Sequence, residues 1–335
     1  MKRTSLIMRS GGLLAATLLL SSWSQVAVAA GPVAVAPGQS ATLLETPSSR
    51  PVSFSVKGGA GYLTGESTEV VYWPDRGNHV ASELTWAIDD LFMAGVGANL
   101  KIRDFMAVNF TGWFAATDGE GSMDDYDYLN VGGDWTDYSR HENTDVTEGS
   151  IVDLSVEFNI IRADSFQLKA IGGYKRDNFA WEALGGEYTY SENGGFRNET
   201  GTFPDGLAVI GYEQTFTALY GGVGIAVQTP VFELAGRLIY SPIAQGEATD
   251  NHYLRNLVTY DEGEDGDMLA FDVAGTFVLS PNFALEAAYS YQKYDMMQGD
   301  SEWHYRDEGV VLLIEDGAGM DQTSSLVSLS LRYTF

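Results

Sequence analysis

Hydrophobic and polar residues alternate one by one along much of this chain. Residues 152–160 place only apolar side chains on one face of an extended strand and only polar ones on the other. The same alternation recurs over residues 269–279, 283–292 and 327–335. Successive side chains of a β-strand point to opposite faces of the sheet, so a period of two predicts strands with one apolar face.

The segments between the strands alternate in length. Short turns fall at residues 103–105, 162–165, 229–231 and 280–282. Long polar loops are predicted near residues 72–83, 117–149, 188–206, 246–267 and 296–322. Short turns at one end and long loops at the other are typical of membrane barrels, whose apolar face points outward to lipid. Five long loops imply ten strands. The predicted fold is therefore all-β, a ten-stranded antiparallel transmembrane β-barrel with long extracellular loops.

A soluble β-sandwich would alternate in the same way, with its apolar face turned inward. Aromatic residues near the predicted strand ends favour the barrel, because membrane barrels carry aromatic girdles at both interfaces. These residues are Tyr291, Tyr294, Tyr333 and Phe335. The barrel is expected to close, since an open sheet edge would leave backbone groups unpaired in hydrocarbon.

The first 30 residues are predicted to be a cleaved secretory signal. Lys2, Arg3 and Arg9 form a basic region, residues 13–20 an apolar core and residues 27–29 a small-residue cleavage site. The apolar run is shorter than the ~20 residues that a membrane-spanning helix needs. Residues 31–50, rich in Pro, Ala, Ser and Thr, are predicted to be an N-terminal extension, and residues 51–335 the barrel.

The chain is strongly acidic, with a net charge of -27, and contains no cysteine. Lack of cysteine excludes a disulfide framework and thiol catalysis. The negative charge argues against nucleic acid and anionic lipid as partners and favours cationic ones. The simpler alternative is that acidic loops only keep the exported protein soluble.

One of the four histidines stands out by its neighbour. His252 follows Asp250 by two residues, and on a continuing strand the two side chains would share a face and touch. The carboxylate would then fix the tautomer of the ring, and the other ring nitrogen could take a proton from water. A loop histidine is otherwise most often solvated, which is the expected state of His79 and His304.

A pair of aspartates has the same spacing in another predicted loop. Two carboxyls on one face, Asp125 and Asp127, resist double ionisation, so the pair could hold a proton. Calcium binding or plain solvation would explain an isolated Asp-x-Asp equally well. The pair becomes a catalytic candidate if it faces the same cleft as His252.

Four segments together resemble the omptins, the outer-membrane aspartate proteases of Gram-negative bacteria. These segments are Asp-x-Asp at 125–127, Gly-Gly-Asp-Trp-Thr-Asp-Tyr-Ser-Arg-His at 132–141, the glycine-rich 194–212 and Asp-x-His-Tyr at 250–253. The resemblance extends from about residue 53 to residue 335. It implies a ten-stranded barrel in the outer membrane with an active-site groove facing the exterior. It also implies an endopeptidase without an acyl-enzyme intermediate.

The resemblance assigns roles to particular residues. Asp250 with His252 and Asp125 with Asp127 would be two catalytic couples that hold the attacking water between them. Substrate-binding positions would include Glu69, Asp137 and His141, the last two near the catalytic couples.

Omptins typically cut beside basic residues, and two acidic side chains form the pocket for the residue before the cut. Glu69 is one of them in this chain, but Ala248 stands at the position of the other. The sequence therefore predicts cleavage near basic residues with a weaker preference, because one carboxylate replaces two.

Members of the family also need lipopolysaccharide, which basic residues on the barrel wall hold. Tyr174 of that site is retained, but the basic positions read Asn178 and Thr215, and an acidic one reads Arg176. The dependence on lipopolysaccharide is therefore left open, and no metal or other cofactor is predicted. The expected partners are a cationic peptide or protein substrate and outer-membrane lipid.

Two other functions compete with the endopeptidase. A non-catalytic surface barrel, acting as an adhesin or a lipid-binding protein, would not need the set of four catalytic-type residues. A small porin would need more than ten strands to leave an open aqueous channel.

Overall fold

The computed structural model describes residues 51–335. The predicted signal, residues 1–30, and the predicted extension, residues 31–50, lie outside the described residues. The strands are β1 Val52–Trp73, β2 His79–Ile102, β3 Met106–Ala115, β4 Gly119–Asp127, β5 Asp137–Arg162, β6 Phe166–Tyr190, β7 Glu199–Gln228, β8 Phe232–His252, β9 Leu257–Val278, β10 Phe283–Tyr305 and β11 Val310–Thr334. Two short 3₁₀ turns, Pro74–Arg76 and Tyr253–Arg255, connect strands. No helix within residues 51–335 is long and apolar enough to cross a membrane.

The strands form one closed antiparallel sheet. Each strand pairs with its neighbours in the sheet, and β1 pairs with β2 on one side and with β11 on the other. The β1–β11 ladder runs from Ser55 opposite Thr334 to Val71 opposite Ala318. The prediction of a closed, all-β, antiparallel barrel is confirmed, and closure leaves no free edge to pair in lipid.

The predicted count of ten strands is wrong by one. β3 and β4 occupy one position in the wall: both pair with β2 on one side and with β5 on the other. Residues 116–118 separate them, and within this break Ala116 donates its backbone N–H to Phe92. The ring thus has ten strand positions, and eleven strands fill them because one position is shared by β3 and β4.

The predicted long loops are also wrong in extent, because most of their residues belong to strands. The connections at that end are only residues 74–78, 128–136, 191–198, 253–256 and 306–309. Beyond the membrane both faces of a strand carry polar residues, so the apolar–polar alternation disappears while the backbone ladder continues. The short turns at the opposite end lie where the sequence placed them, which makes that end the periplasmic one.

The apolar outer band covers only the periplasmic half of the barrel. On β9 the exposed outward side chains are apolar from Leu269 to Phe277, whereas Glu262 and Glu264 point outward closer to the tip. Inside the wall, large aromatic side chains of the outer half pack together, with Trp86 stacked on Tyr212 at 5.2 Å between ring centroids. Residues nearer the outer tips than this aromatic layer therefore lie outside the hydrocarbon.

Candidate active site

Asp250 and His252 lie at the outer end of β8, on its inward face. The Oδ2 atom of Asp250 is 2.6 Å from Nε2 of His252, and Asp250 is almost fully buried. The contact expected from their spacing is present because β8 continues as a strand to His252 itself. The carboxylate thus holds the ring in a fixed orientation.

A residue that sequence reasoning missed occupies the other ring nitrogen. Nη2 of Arg255, in the 3₁₀ turn that follows β8, lies 2.8 Å from Nδ1 of His252. A guanidinium only donates hydrogen bonds, so Nδ1 accepts and the ring proton is on Nε2, directed at Asp250. Arg255 follows His252 by three residues, a distance that one turn of 3₁₀ helix closes. This spacing was the signal in the sequence for the contact.

Asp125 and Asp127 lie on the inward face of β4. Ser82, on the neighbouring β2, donates a hydrogen bond to Oδ1 of Asp125 at 3.1 Å. Burial raises the pKa of Asp125 well above its usual range, and the charge of Asp127 raises it further. Burial also raises the pKa of Asp127, and the guanidinium of Arg255 partly offsets the increase. The pair is thus suited to hold a proton at a pH where an exposed carboxyl would have lost it.

The two couples face one cavity, although they come from strands on different sides of the ring. The cavity measures about 290 Å³ and is lined by all four side chains. The charges of Asp250 and His252 act on the pKa values of Asp125 and Asp127 respectively. The other titratable residues of the lining are Glu69, Arg255 and Asp261. Five carboxyls thus share this cavity with one guanidinium and one imidazole.

Comparisons with known proteins agree with this geometry. The omptin family profile matches residues 50–335. This chain belongs to the omptin family. The outer membrane protease OmpP of Escherichia coli is 29% identical over 287 residues, which cover 85% of this chain and 91% of OmpP. The plasminogen activator of Yersinia pestis is 30% identical over 291 residues, covering 86% and 92%.

A solved structure supports the same assignment. The crystal structure of the outer membrane protease OmpT from Escherichia coli superposes with a TM-score of 0.81 at 25% identity, covering 87% of this chain and 98% of OmpT. Family and fold place this omptin in the outer membrane of a Gram-negative bacterium.

Glu69 lines the same cavity, from the inward face of β1. It is 3% exposed, and Nε1 of Trp86 donates a hydrogen bond to its Oε2 at 3.4 Å. Burial raises its pKa well above the usual range, and the charges of Asp250 and Asp261 raise it further. Ala248, by contrast, is buried in the core and is not among the residues that line the cavity.

Asp261 is a second cavity residue that the sequence did not single out. It lies on β9 directly opposite Ala248, and it lines the cavity. Burial raises its pKa to about 7. Twelve residues lie between the two positions along the chain, so only the register of β8 with β9 brings them together.

Asp137 and His141 of the omptin motif are not among the residues that line the cavity. Asp137 begins β5 opposite Asp127, accepts the backbone N–H of Ser191 at 2.8 Å, and contributes to the raised pKa of Asp127. The ring of His141 is fully buried, with Nδ1 2.5 Å from the carbonyl oxygen of Gly185. Both side chains therefore belong to the part of the wall where β5 pairs with β4.

The candidate lipid residue of this omptin lies on the outer surface. Tyr174 is exposed on the outward face of β6, and Arg176 follows it on the same face. The amide of Asn178 donates hydrogen bonds of 2.9 Å to both Thr215 and Glu213. These polar groups satisfy one another, and Arg176 supplies the one positive charge of this group of five.

Proposed function

We propose that this omptin is an outer-membrane endopeptidase that hydrolyses peptide bonds with water held between Asp250–His252 and Asp125–Asp127. The observation that carries the proposal is the common cavity: four side chains from two distant strands line it, and one couple is already in contact at 2.6 Å. The relatives named outer membrane protease and plasminogen activator support the same reaction class.

In this mechanism His252 is the general base. A water molecule replaces Arg255 as the hydrogen-bond partner of Nδ1 and gives that nitrogen a proton, while its oxygen adds to the scissile carbonyl carbon. Asp250 keeps the Nε2 proton in place and stabilises the imidazolium that forms. No covalent bond forms between enzyme and substrate.

The aspartate pair completes the proton transfers. The proton shared by Asp125 and Asp127 forms a hydrogen bond to the oxyanion of the tetrahedral intermediate. Collapse of the intermediate breaks the C–N bond, and the departing amine takes the proton from Nδ1 of His252. Both couples then return to their starting protonation states.

The substrate class follows from the charge of the cavity. Five carboxyls line it against one guanidinium and one imidazole, so a peptide segment with a cationic side chain fits better than a neutral or acidic one. Glu69 is the proposed contact for that side chain. Asp137 and His141 have the role of positioning the strands beside the site, and Tyr174 contacts outer-membrane lipid.

The test is His252→Ala, measured as kcat/KM on a fluorogenic peptide library with the purified barrel. General-base contributions are worth about 10²- to 10⁴-fold, so the rate should fall by that factor while the barrel stays folded. The matched control is His304→Ala, because His304 also lies two residues after a carboxylate, Glu302, at 2.5 Å, but neither residue lines the cavity.

Equal rates for His252→Ala and wild type would refute the mechanism. A folded wild-type barrel that hydrolyses no member of the library would refute the activity itself and favour a non-catalytic surface barrel.

A further inference from the structure

We propose that Asp261 supplies, from strand β9, the second carboxylate of the pocket that binds the cationic side chain of the substrate, with Glu69 as the first. The proposal rests on the proposed endopeptidase function and identifies a specificity residue within it. It also removes the reason to expect a one-carboxylate pocket from Ala248.

The register of the sheet places Asp261 beside Ala248. Ala248 and Asp261 are directly opposite each other in the β8–β9 ladder, and both are buried on the inward face. Cross-strand neighbours on one face have Cβ atoms about 4.5–5.5 Å apart. A carboxylate at position 261 therefore lies at the same depth in the barrel as one at position 248 would, but on the adjacent strand. The small side chain of Ala248 leaves it room.

Hydrogen bonds hold the Asp261 carboxylate in place. Thr259 donates to its Oδ2 at 3.4 Å, and Ser301 of β10 donates to its Oδ1. Nε1 of Trp303 in turn donates to the Ser301 hydroxyl at 2.8 Å. A carboxylate oriented in this way is preorganised to receive a ligand, since little side-chain freedom is lost on binding.

The charges around Asp261 are those of a site for a cation. The other titratable groups that act on Asp261 and Glu69 are the carboxyls of Asp250 on β8 and Asp125 on β4. Arg255 is the one guanidinium of the lining, and it acts on Asp125 and Asp127. Buried carboxyls without a counter-charge ionise at a cost, which a bound guanidinium or ammonium group would offset.

A second observation points to the same ligand. Oδ1 of Asp250, a cavity-lining residue that is 2% exposed, has no hydrogen-bond partner among the described residues. A guanidinium carries five N–H donors and no acceptor, the complement of an acceptor-rich cavity.

The experiment compares two peptides that differ only by arginine or citrulline at the position before the cut. Citrulline keeps the shape of arginine and removes its charge. We expect Asp261→Asn to lower the ratio of kcat/KM for arginine over citrulline by about ten- to a hundredfold, because one charge-assisted hydrogen bond is lost. The matched control is Glu262→Gln, whose carboxylate is exposed on the outward face next to Asp261.

A compensating variant guards against a misfolded pocket. Asp261→Asn combined with Ala248→Asp returns a carboxylate to the same depth, one strand away, and should recover most of the arginine preference. Wild-type rates on both peptides in Asp261→Asn, or an equal loss of rate on both, would overturn the assignment. The first result would place Asp261 outside the pocket, and the second would give it a role in the catalytic couples.

Binding without hydrolysis separates this proposal from the proposed function. Fluorescence anisotropy of both peptides on the His252→Ala barrel, with and without Asp261→Asn, measures the pocket alone. Tighter binding of the arginine peptide that Asp261→Asn weakens would support the pocket even if the wild-type barrel proved inactive. Equal binding of the two peptides would refute the pocket even if hydrolysis were intact.

Discussion

The barrel contains two cavities of similar size whose charges are organised in opposite ways. The interior of the periplasmic half encloses about 280 Å³ lined by six lysines and arginines and five carboxyls. Four of those six cations form ion pairs, among them Lys57 with Glu286 at 2.7 Å and Arg237 with Asp153 at 2.8 Å. The outer cavity, about 290 Å³, holds five carboxyls against a single guanidinium.

The ion pairs of the periplasmic cavity stabilise the fold, whereas the clustered carboxyls of the outer cavity are available to bind a cationic ligand. An ion pair satisfies a buried charge inside the protein, so the paired groups of the periplasmic cavity need no external partner. The outer cavity keeps its carboxyls close together and unneutralised, which lowers stability and raises their pKa values. Removal of a charge should therefore have opposite consequences in the two regions.

The largest expected effect is that of Asp250→Asn in the outer cavity. The amide cannot stabilise the imidazolium of His252 as a carboxylate does, so kcat/KM should fall by about 10²- to 10⁴-fold. Thermal stability should not fall, because an unneutralised buried charge is removed. The paired control is Asp272→Asn beside Arg237, for which we expect the reverse: lower stability and an intact rate. Loss of activity in both would break the distinction between the cavities.

Arg237→Met tests the paired region directly. Its guanidinium contacts Asp153 at 2.8 Å and Asp272 at 2.5 Å, and the substitution would take this cation from both carboxylates. Breaking a buried pair typically costs about 3–5 kcal/mol. Urea unfolding of the barrel in detergent micelles measures the loss, and kcat/KM of the folded fraction should be unchanged. A variant as stable as wild type would mean that these ion pairs do not hold the periplasmic half together.

The outer carboxyls should make stability depend on pH. The pKa of Asp261 is raised from 3.8 to about 7 on folding, so between these values the folded state binds more protons than the unfolded state. Stability from this group is therefore fully present below about pH 4 and is lost as the pH rises to about 7. Asp261→Asn should flatten that decline, measured as the difference in melting temperature from wild type across this range. A steeper decline would contradict the raised pKa.

A smaller effect is expected from the one guanidinium of the outer cavity. Arg255 partly offsets the raised pKa values of Asp125 and Asp127, so Arg255→Met should raise both. The limb of the pH–kcat profile that reports the aspartate pair should shift to higher pH, with a change in maximal rate of only about several-fold. Arg306→Met, in the neighbouring turn between β10 and β11, is the control. A shift of this limb to lower pH would contradict the action of Arg255 on the aspartate pair.

The smallest effect should come from added lipopolysaccharide. Asn178, Thr215 and Glu213 satisfy one another on the outer wall, and within this group of residues Arg176 offers the one positive charge to a phosphate. We expect kcat/KM of the lipid-free barrel to change by less than about threefold on addition of lipopolysaccharide, since exposed single charges contribute little. Asn178→Arg should increase the response if this surface meets the lipid. An inactive lipid-free barrel that lipopolysaccharide activates would refute the expectation.

The sequence by itself determined the strands of the periplasmic half and the contact within the first catalytic couple. Lipid on one side and a polar interior on the other impose strict alternation there. The period of two in apolar and polar side chains is therefore visible in residues 152–160 and 327–335. The same period of two explains why Asp250 and His252 share a face. Both inferences depend only on the local geometry of an extended strand.

Only the tertiary structure decided how far the strands continue and which of them meet. Outside the membrane, water solvates both faces and alternation is lost, so β4 and the outer parts of β5 and β9 read as loops. Barrel closure and the inward packing of the outer half bring Asp125 and Asp127 to the cavity of Asp250 and His252. Asp261 lies opposite Ala248 only because of the ladder between β8 and β9, and cross-strand register, unlike strand period, is a relation between distant segments of the chain.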